Sequence, residues 1–254
     1  CFPLLVALYF MRILLSSMLS KGLYMDLEKQ IKVFKDLGYE FAEGVTKELI
    51  LRDVYEMTWE EETEKHIEEN PFSILYYFYG WRDSAVKGRN YTDDCIWFDL
   101  EFFDSRSEYK WFMERMGVIT HGDMIFSDIT IDTDSDDWEW IDFKVNGIPK
   151  RWKLEKTGII PDHFVERFSS LNKELGFSRQ FTYYDNGGQQ WVIDYANKSE
   201  QKEFNEKTGL NREWLGEGNH FKALPESHDE VPSKTLQQKF VSIYSKLASR
   251  FQSQ

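Results

Sequence analysis

Two carboxylates on one predicted strand are the first groups in the sequence that could do chemistry. Residues 96–103 alternate with a period of two, which predicts a strand with Asp99 and Glu101 on the same face as Trp97. Such positions lie roughly 6.5–7 Å apart, so the carboxylates could serve as general acid and base if burial separated their pKa values. The alternative is a solvated strand face, which shows the same alternation.

A second acidic run, Asp132-Thr133-Asp134-Ser135-Asp136-Asp137-Trp138-Glu139, has carboxylates at the first, third and fifth positions of a calcium loop. Its sixth position is Asp137, where that loop needs Gly, and its twelfth is Phe143, where it needs a bidentate Glu. These departures favour a solvated acidic turn over a cation site. An acidic docking loop for a basic partner remains open. We expect no metal and no cofactor.

No motif of a known catalytic class accompanies these carboxylates. The five histidines have no metal-ligand spacing, and the sequence contains no nucleophile elbow and no phosphate-binding glycine loop. The two cysteines form no metal pair or disulfide framework, which is typical of a reducing compartment. We therefore expect a cytoplasmic protein that is not an enzyme. The alternative is a metal-assisted hydrolase built on Asp99, Glu101 and the cluster 132–137.

The net charge of −13 is concentrated in the first part of the chain. Residues 25–143 hold 30 acidic and 12 basic side chains, whereas residues 144–254 hold 14 acidic and 17 basic. The densest stretch is 91–142, with 15 acidic and 3 basic residues. Such a surface repels nucleic acid and anionic membranes, and it attracts a basic protein. The alternative is that the charge serves solubility alone.

Capping residues, glycine stops and periodicity together predict an α+β fold with a mostly antiparallel sheet and flanking helices. Thr58 and Glu61 are predicted to form a capping box for a helix over 59–69. Asn146-Gly147 predicts a tight hairpin between residues 139–145 and 148–154. A second hairpin is predicted over 179–184 and 190–196. Asn197 and Glu200 are predicted to cap the helix that follows it.

The same signals divide the chain into five segments. Residues 1–24 are apolar and are a membrane anchor, a signal-like segment, or sequence upstream of a true start at Met25. An acidic α+β region (25–156) and a helix–hairpin–helix region (157–215) follow, with two subdomains as an option. Residues 216–233 are predicted to be a linker, and 234–254 an amphipathic helix. A membrane is a partner only if the first segment is a real anchor.

Two stretches carry a resemblance to a known group of proteins. The run Asp93-Asp94-Cys95-Ile96-Trp97-Phe98-Asp99-Leu100-Glu101 and the segment 181–210, FTYYDNGGQQWVIDYANKSEQKEFNEKTGL, resemble segments of uncharacterised bacterial acidic proteins. These are similar to the immunity proteins that neutralise polymorphic toxins. The resemblance implies a partner that is a basic toxin, and it implies no catalytic residue. The expected partner-binding residues are Trp97, Asp99, Glu101, Asp132, Asp134, Asp136, Asp137 and Trp138.

Overall fold

A computed structural model of the protein describes residues 24–82, 89–99, 106–133, 139–154, 162–185 and 190–217. Within these ranges there are seven helices: α1 (Leu27–Asp36), α2 (Lys47–Thr58), α3 (Thr63–Glu69), α4 (Ser73–Tyr79), α5 (Arg106–Val118), α6 (Asp162–Leu175) and α7 (Lys198–Thr208). The described strands are β1 (Cys95–Asp99), β2 (Phe126–Thr133), β3 (Glu139–Val145), β4 (Ile148–Leu154), β5 (Gln180–Asp185), β6 (Gln190–Ala196) and β7 (Glu213–Trp214). The predicted α+β class is confirmed.

The strands form two sheets, one of four strands in the order β1-β6-β5-β7 and one of three in the order β2-β3-β4. The pairs β2–β3, β3–β4 and β5–β6 are antiparallel. Asn146 and Gly147 both have positive φ, at 50° and 80°, as the predicted hairpin turn requires. Pro149 lies on β4, an edge strand, where its missing N–H removes no inner hydrogen bond of the sheet.

The chain divides into two compact units, each discontinuous in sequence. Of the described residues, those up to 98 and those from 179 to 213 form the first unit, and those from 99 to 178 and from 214 to 217 form the second. The boundary predicted near residue 157 stays a prediction, because residues 155–161 lie outside the described part. So do the linker and the final helix, from residue 218 onward, and residues 1–23 of the apolar segment.

The core of the first unit is built largely from aromatic side chains. Phe34 of α1 packs within 4.7–6.1 Å, between ring centroids, of Tyr39, Phe72, Tyr76, Tyr79 and Phe204. Burying one such ring contributes about 1.5–3 kcal/mol, so this cluster is a main source of the unit's stability. None of the helices in the described part of the chain has the length and apolar character that crossing a membrane requires.

The second unit packs its three-stranded sheet against α5 and α6. The sheet presents Phe143 and Trp152, and α6 presents Phe164 and Phe168, with Trp152 lying edge-on to both α6 rings. The apolar residues of α5 that recur in the sequence at i, i+3, i+4 and i+7 (Tyr109, Phe112, Met113 and Met116) are all buried. The 3.6-residue stripe read from the sequence therefore faces this core.

The predicted capping box at Thr58 is wrong. Thr58 is the last residue of α2, and Trp59 follows it in the left-handed region at φ 59° and ψ 20°. The next helix begins at Thr63, and no side chain caps it. The Thr58 hydroxyl donates back to the Val54 carbonyl at 2.8 Å, which is the local bond that competes with capping.

Candidate functional site: an acidic and aromatic surface

Three of the eight predicted partner-binding residues lie in the described part of the chain. Trp97 is half-buried in the first unit, with its ring centroid 4.5 Å from that of Trp81. Asp99 is half-buried at the end of β1, and Asp132 is exposed on β2 in the second unit. The other five, Glu101, Asp134, Asp136, Asp137 and Trp138, lie outside the described residues. The structure does not bring the three together in one compact unit.

Four of the ten described carboxylates of the stretch 91–142 form ion pairs with basic side chains. The pairs are Lys144–Asp128 at 2.6 Å, Arg106–Glu139 at 2.9 Å, Arg151–Asp142 at 3.7 Å and Lys110–Glu114 at 3.9 Å. Two of these cations, Lys144 and Arg151, come from positions beyond the end of the stretch, and the other two, Arg106 and Lys110, lie within it. The part of this stretch that is described is therefore a mixed surface, with both signs of charge interspersed.

On the solvent-facing side of the three-stranded sheet, basic and acidic side chains lie next to one another. Arg151 and Lys153 lie 4.8 and 5.7 Å from the centroid of the Trp140 ring, on the same side of the sheet as Asp142. Partial burial raises the pKa of the Asp142 carboxyl above its ordinary value, although Arg151 opposes the shift. These contacts place cations beside the Asp142 carboxylate and the Trp140 ring. The predicted role of Asp134, Asp136, Asp137 and Trp138 in partner binding stays a prediction, because these residues lie outside the described ranges.

Uncompensated acidic charge lies instead at the junction of α2 and α3, in the first unit. Residues 47–69, which form the two helices and the turn between them, hold nine acidic and three basic residues. Glu60 and Glu61 are exposed, and neither is in an ion pair within the described structure. Next to them Trp59 is 78% exposed and Tyr55 is 44% exposed. We call Tyr55, Glu56, Trp59, Glu60 and Glu61 the acidic–aromatic corner.

The packing of α2 sets which of its side chains reach this corner. Ile50, Asp53 and Val54 are buried on the inner face of the helix. The Tyr91 hydroxyl donates to the Asp53 carboxylate at 2.5 Å and fixes that face. Tyr55 and Glu56 follow one and two positions after Val54, so the 100° step of the helix turns them to solvent.

Trp59 reaches the surface because the backbone reverses at this residue. Its N–H donates to the Tyr55 carbonyl at 2.8 Å, which closes the last turn of α2. The left-handed conformation suits Gly at this position, and a bulky residue there costs about 1–2 kcal/mol. A strained, exposed tryptophan beside free carboxylates is typical of a binding surface.

The flanks of the acidic–aromatic corner are fixed by ion pairs. Lys65 lies 2.6 Å from Glu62, and this hydrogen bond lowers the pKa of the Glu62 carboxyl. Lys47 lies 2.6 Å from Glu64, which raises the pKa of that ammonium group. Arg52 is held 2.5 Å from the buried Asp53 and 3.9 Å from Glu56. The cations around the corner are therefore engaged, and the carboxylates of Glu60 and Glu61 stay available to a partner.

Sequence reasoning missed this site for an identifiable reason. The run Thr58-Trp59-Glu60-Glu61 fits a capping box, which assigned Trp59 and Glu60 to the first turn of a helix. The higher density of acidic residues at 91–142 also led to the predicted binding surface being placed in that stretch. A tryptophan followed by three glutamates just after an amphipathic helix is the signal that could have found it.

Two further features bear on chemistry. No cluster of three or more His, Cys, Asp or Glu side chains that could hold a metal occurs in the described ranges. The hydrolase alternative stays a prediction, since Glu101, Asp134, Asp136 and Asp137 lie outside them.

Comparison of the chain with protein families, with curated proteins and with solved structures gives no match.

Proposed function

We propose that the protein is a non-enzymatic binding module that recognises a basic protein through the acidic–aromatic corner. The observation that carries this proposal is the exposure of Trp59 beside Glu60 and Glu61, two carboxylates without ion pairs in the described structure. Tryptophan is enriched among the residues that dominate binding energy, and single-sign charge raises the rate of association with an oppositely charged protein.

The resemblance to immunity proteins supplies the kind of partner in this proposal. An immunity protein must bind its toxin quickly, before the toxin acts, and electrostatic steering is the physical route to a fast encounter. Nuclease toxins are basic because they bind a polyanion, so an acidic protein is a natural inhibitor of them. The net charge of −13 supports this pairing.

The test is capture of a partner from the native host, followed by an assay of what is captured. The immobilised full chain is expected to retain a basic protein at low salt and release it as salt rises. Adding the chain in equal amount is expected to abolish the toxic activity of that protein. Recovery of a basic protein whose activity is unchanged by the chain would contradict the immunity role.

Variants of the chain separate specific binding from general charge attraction. Glu60→Gln/Glu61→Gln removes two negative charges from the acidic–aromatic corner. Glu203→Gln/Glu206→Gln removes the same charge from α7, where both glutamates are exposed and paired with lysines. We expect capture to weaken in the first double variant and to persist in the second. Equal weakening in both would show that net charge alone is responsible.

A further inference from the structure

The two aromatic rings of the acidic–aromatic corner are arranged so that a cation can reach one ring face. The ring centroids of Tyr55 and Trp59 lie 6.4 Å apart and the ring planes are inclined by 59°. A flat group sandwiched between two rings would need them parallel and about 7 Å apart, at two stacking distances of roughly 3.5 Å. The tilt excludes a sandwich, and Trp59, at 78% exposure against 44% for Tyr55, is the more accessible ring for stacking.

This face is open to a cation from outside the chain. The described cation–π contacts of the protein involve other rings, and none involves Tyr55 or Trp59. The nearest arginine in sequence, Arg52, is committed to Asp53 and Glu56. Tryptophan is the strongest cation–π acceptor among the side chains. The ring of Trp59 is thus an unused acceptor next to unused carboxylates.

We propose that the acidic–aromatic corner receives an arginine side chain of the basic partner, stacked on Trp59 and hydrogen-bonded to Glu60 or Glu61. This inference rests on the proposed function and names the chemistry of its contact. A guanidinium is planar, so it stacks on an indole ring while its edge donates two parallel hydrogen bonds to a carboxylate. A lysine ammonium is a compact, strongly hydrated charge that cannot do both in one plane.

The test uses two short peptides, capped at both ends, that differ only in the basic residue: Gly-Arg-Gly-Arg-Gly and Gly-Lys-Gly-Lys-Gly. Each is titrated into the full chain labelled with ¹⁵N, and the indole N–H signal of Trp59 is followed. That signal is identified by its loss in Trp59→Phe. We expect the arginine peptide to shift it and to bind about two- to fivefold more tightly than the lysine peptide.

Two variants check the contacts. Glu60→Gln/Glu61→Gln is expected to weaken binding of the arginine peptide more than binding of the lysine peptide. The reason is that the paired hydrogen bonds to the guanidinium are lost along with the charge. Glu203→Gln/Glu206→Gln is expected to leave both titrations unchanged. The intact spectra of both variants show directly that they are folded.

The outcomes separate this inference from the proposed function. An equal response to both peptides would overturn the arginine contact, while capture of the host partner would keep the binding role intact. A silent Trp59 signal with both peptides would also overturn it. If the wild-type chain captures no basic protein from the host but responds to the peptides as expected, only the proposed function is contradicted.

Discussion

The guanidinium Nη1 of Arg212 lies 2.5 Å from the carboxylate Oδ2 of Asp194, and only 2% and 6% of the two side chains are exposed. The hydroxyl of Tyr39 donates to the same carboxylate oxygen and accepts from Arg212 at 2.7 Å. The Tyr76 hydroxyl donates to it at 3.2 Å. This buried network joins α4 and β6 to the segments after α1 and α7 in the first unit.

Arg212→Met and Asp194→Asn each remove one member of this buried pair and leave the other in the core. We expect each to lower the free energy of unfolding by about 3–5 kcal/mol, as is usual when one buried partner is removed. Denaturant unfolding at neutral pH measures both values. A loss below about 1 kcal/mol in both would show that the pair is not buried as described.

The two variants should differ in their dependence on pH. Burial already raises the pKa of the Asp194 carboxyl, and removing Arg212 takes away the charge that opposes this shift. The folded Arg212→Met variant therefore takes up a proton on Asp194 at a pH where the unfolded chain does not, so its destabilisation shrinks as the pH falls. Asp194→Asn has no carboxyl to titrate, so its destabilisation should not shrink in this way. Parallel curves for the two variants would contradict this explanation.

Buried tyrosines predict a loss of stability at high pH. Burial raises the pKa of Tyr76, Tyr79 and Tyr183 well above the ordinary value near 10. Unfolded tyrosines release their protons above about pH 10 while these native ones keep theirs, so the free energy of unfolding falls as the pH rises above about 10. In Tyr76→Phe the slope should be shallower by up to about 1.4 kcal/mol per pH unit. Identical slopes for the variant and the wild type would count against the burial of Tyr76.

Gly80 is predicted to be intolerant of any side chain. A Cβ at this position would lie 2.3 Å from the backbone N of Trp97 and 2.7 Å from the backbone carbon of Ile96. Gly80→Ala should therefore push α4 away from β1 and lower the free energy of unfolding by about 3 kcal/mol or more. Gly122→Ala is the control, because a Cβ there meets nothing within 4 Å and only its left-handed backbone is strained. A smaller loss in Gly80→Ala than in the control would contradict the close contact.

Trp59→Gly is expected to change the stability of the fold and the affinity for a partner in opposite directions. Glycine adopts the left-handed conformation of this residue without strain, and the exposed indole ring contributes little burial. Relief of about 1–2 kcal/mol of backbone strain is partly offset by the entropy that glycine adds to the unfolded chain, so we expect the free energy of unfolding to rise by about 1 kcal/mol or less. Affinity for a basic partner should fall. Thermal unfolding and titration of the same sample give both values. A destabilised variant would mean that Trp59 supports the fold instead of a partner contact.

Local signals in the sequence predicted much of this fold. The hairpin at Asn146-Gly147 and the capping box of Asn197 with Glu200 are confirmed, because a turn or a cap is decided by residues a few positions apart. The buried face of α5 could also be predicted, because apolar residues repeat about every 3.6 positions within this one helix.

The buried network around Asp194 and the candidate site were not predictable in the same way. Arg212 and Tyr39 are separated by 173 positions, and no periodicity marks two residues that meet only after folding. The exposure of Trp59 follows from which face of α2 the core buries, and from a left-handed turn that the capping pattern at Thr58 and Glu61 obscured. Charge density alone pointed to 91–142, where four of the described carboxylates are paired with cations from β3, β4 and α5.

The most direct test of the acidic–aromatic corner is the association rate constant of the captured basic protein, measured against ionic strength. We expect the wild-type rate to fall steeply with salt, and the rate of Glu60→Gln/Glu61→Gln to be lower at low salt and to converge with it at high salt. Glu203→Gln/Glu206→Gln should follow the wild type much more closely. Two superimposable curves for these double variants would contradict a binding surface centred on Trp59.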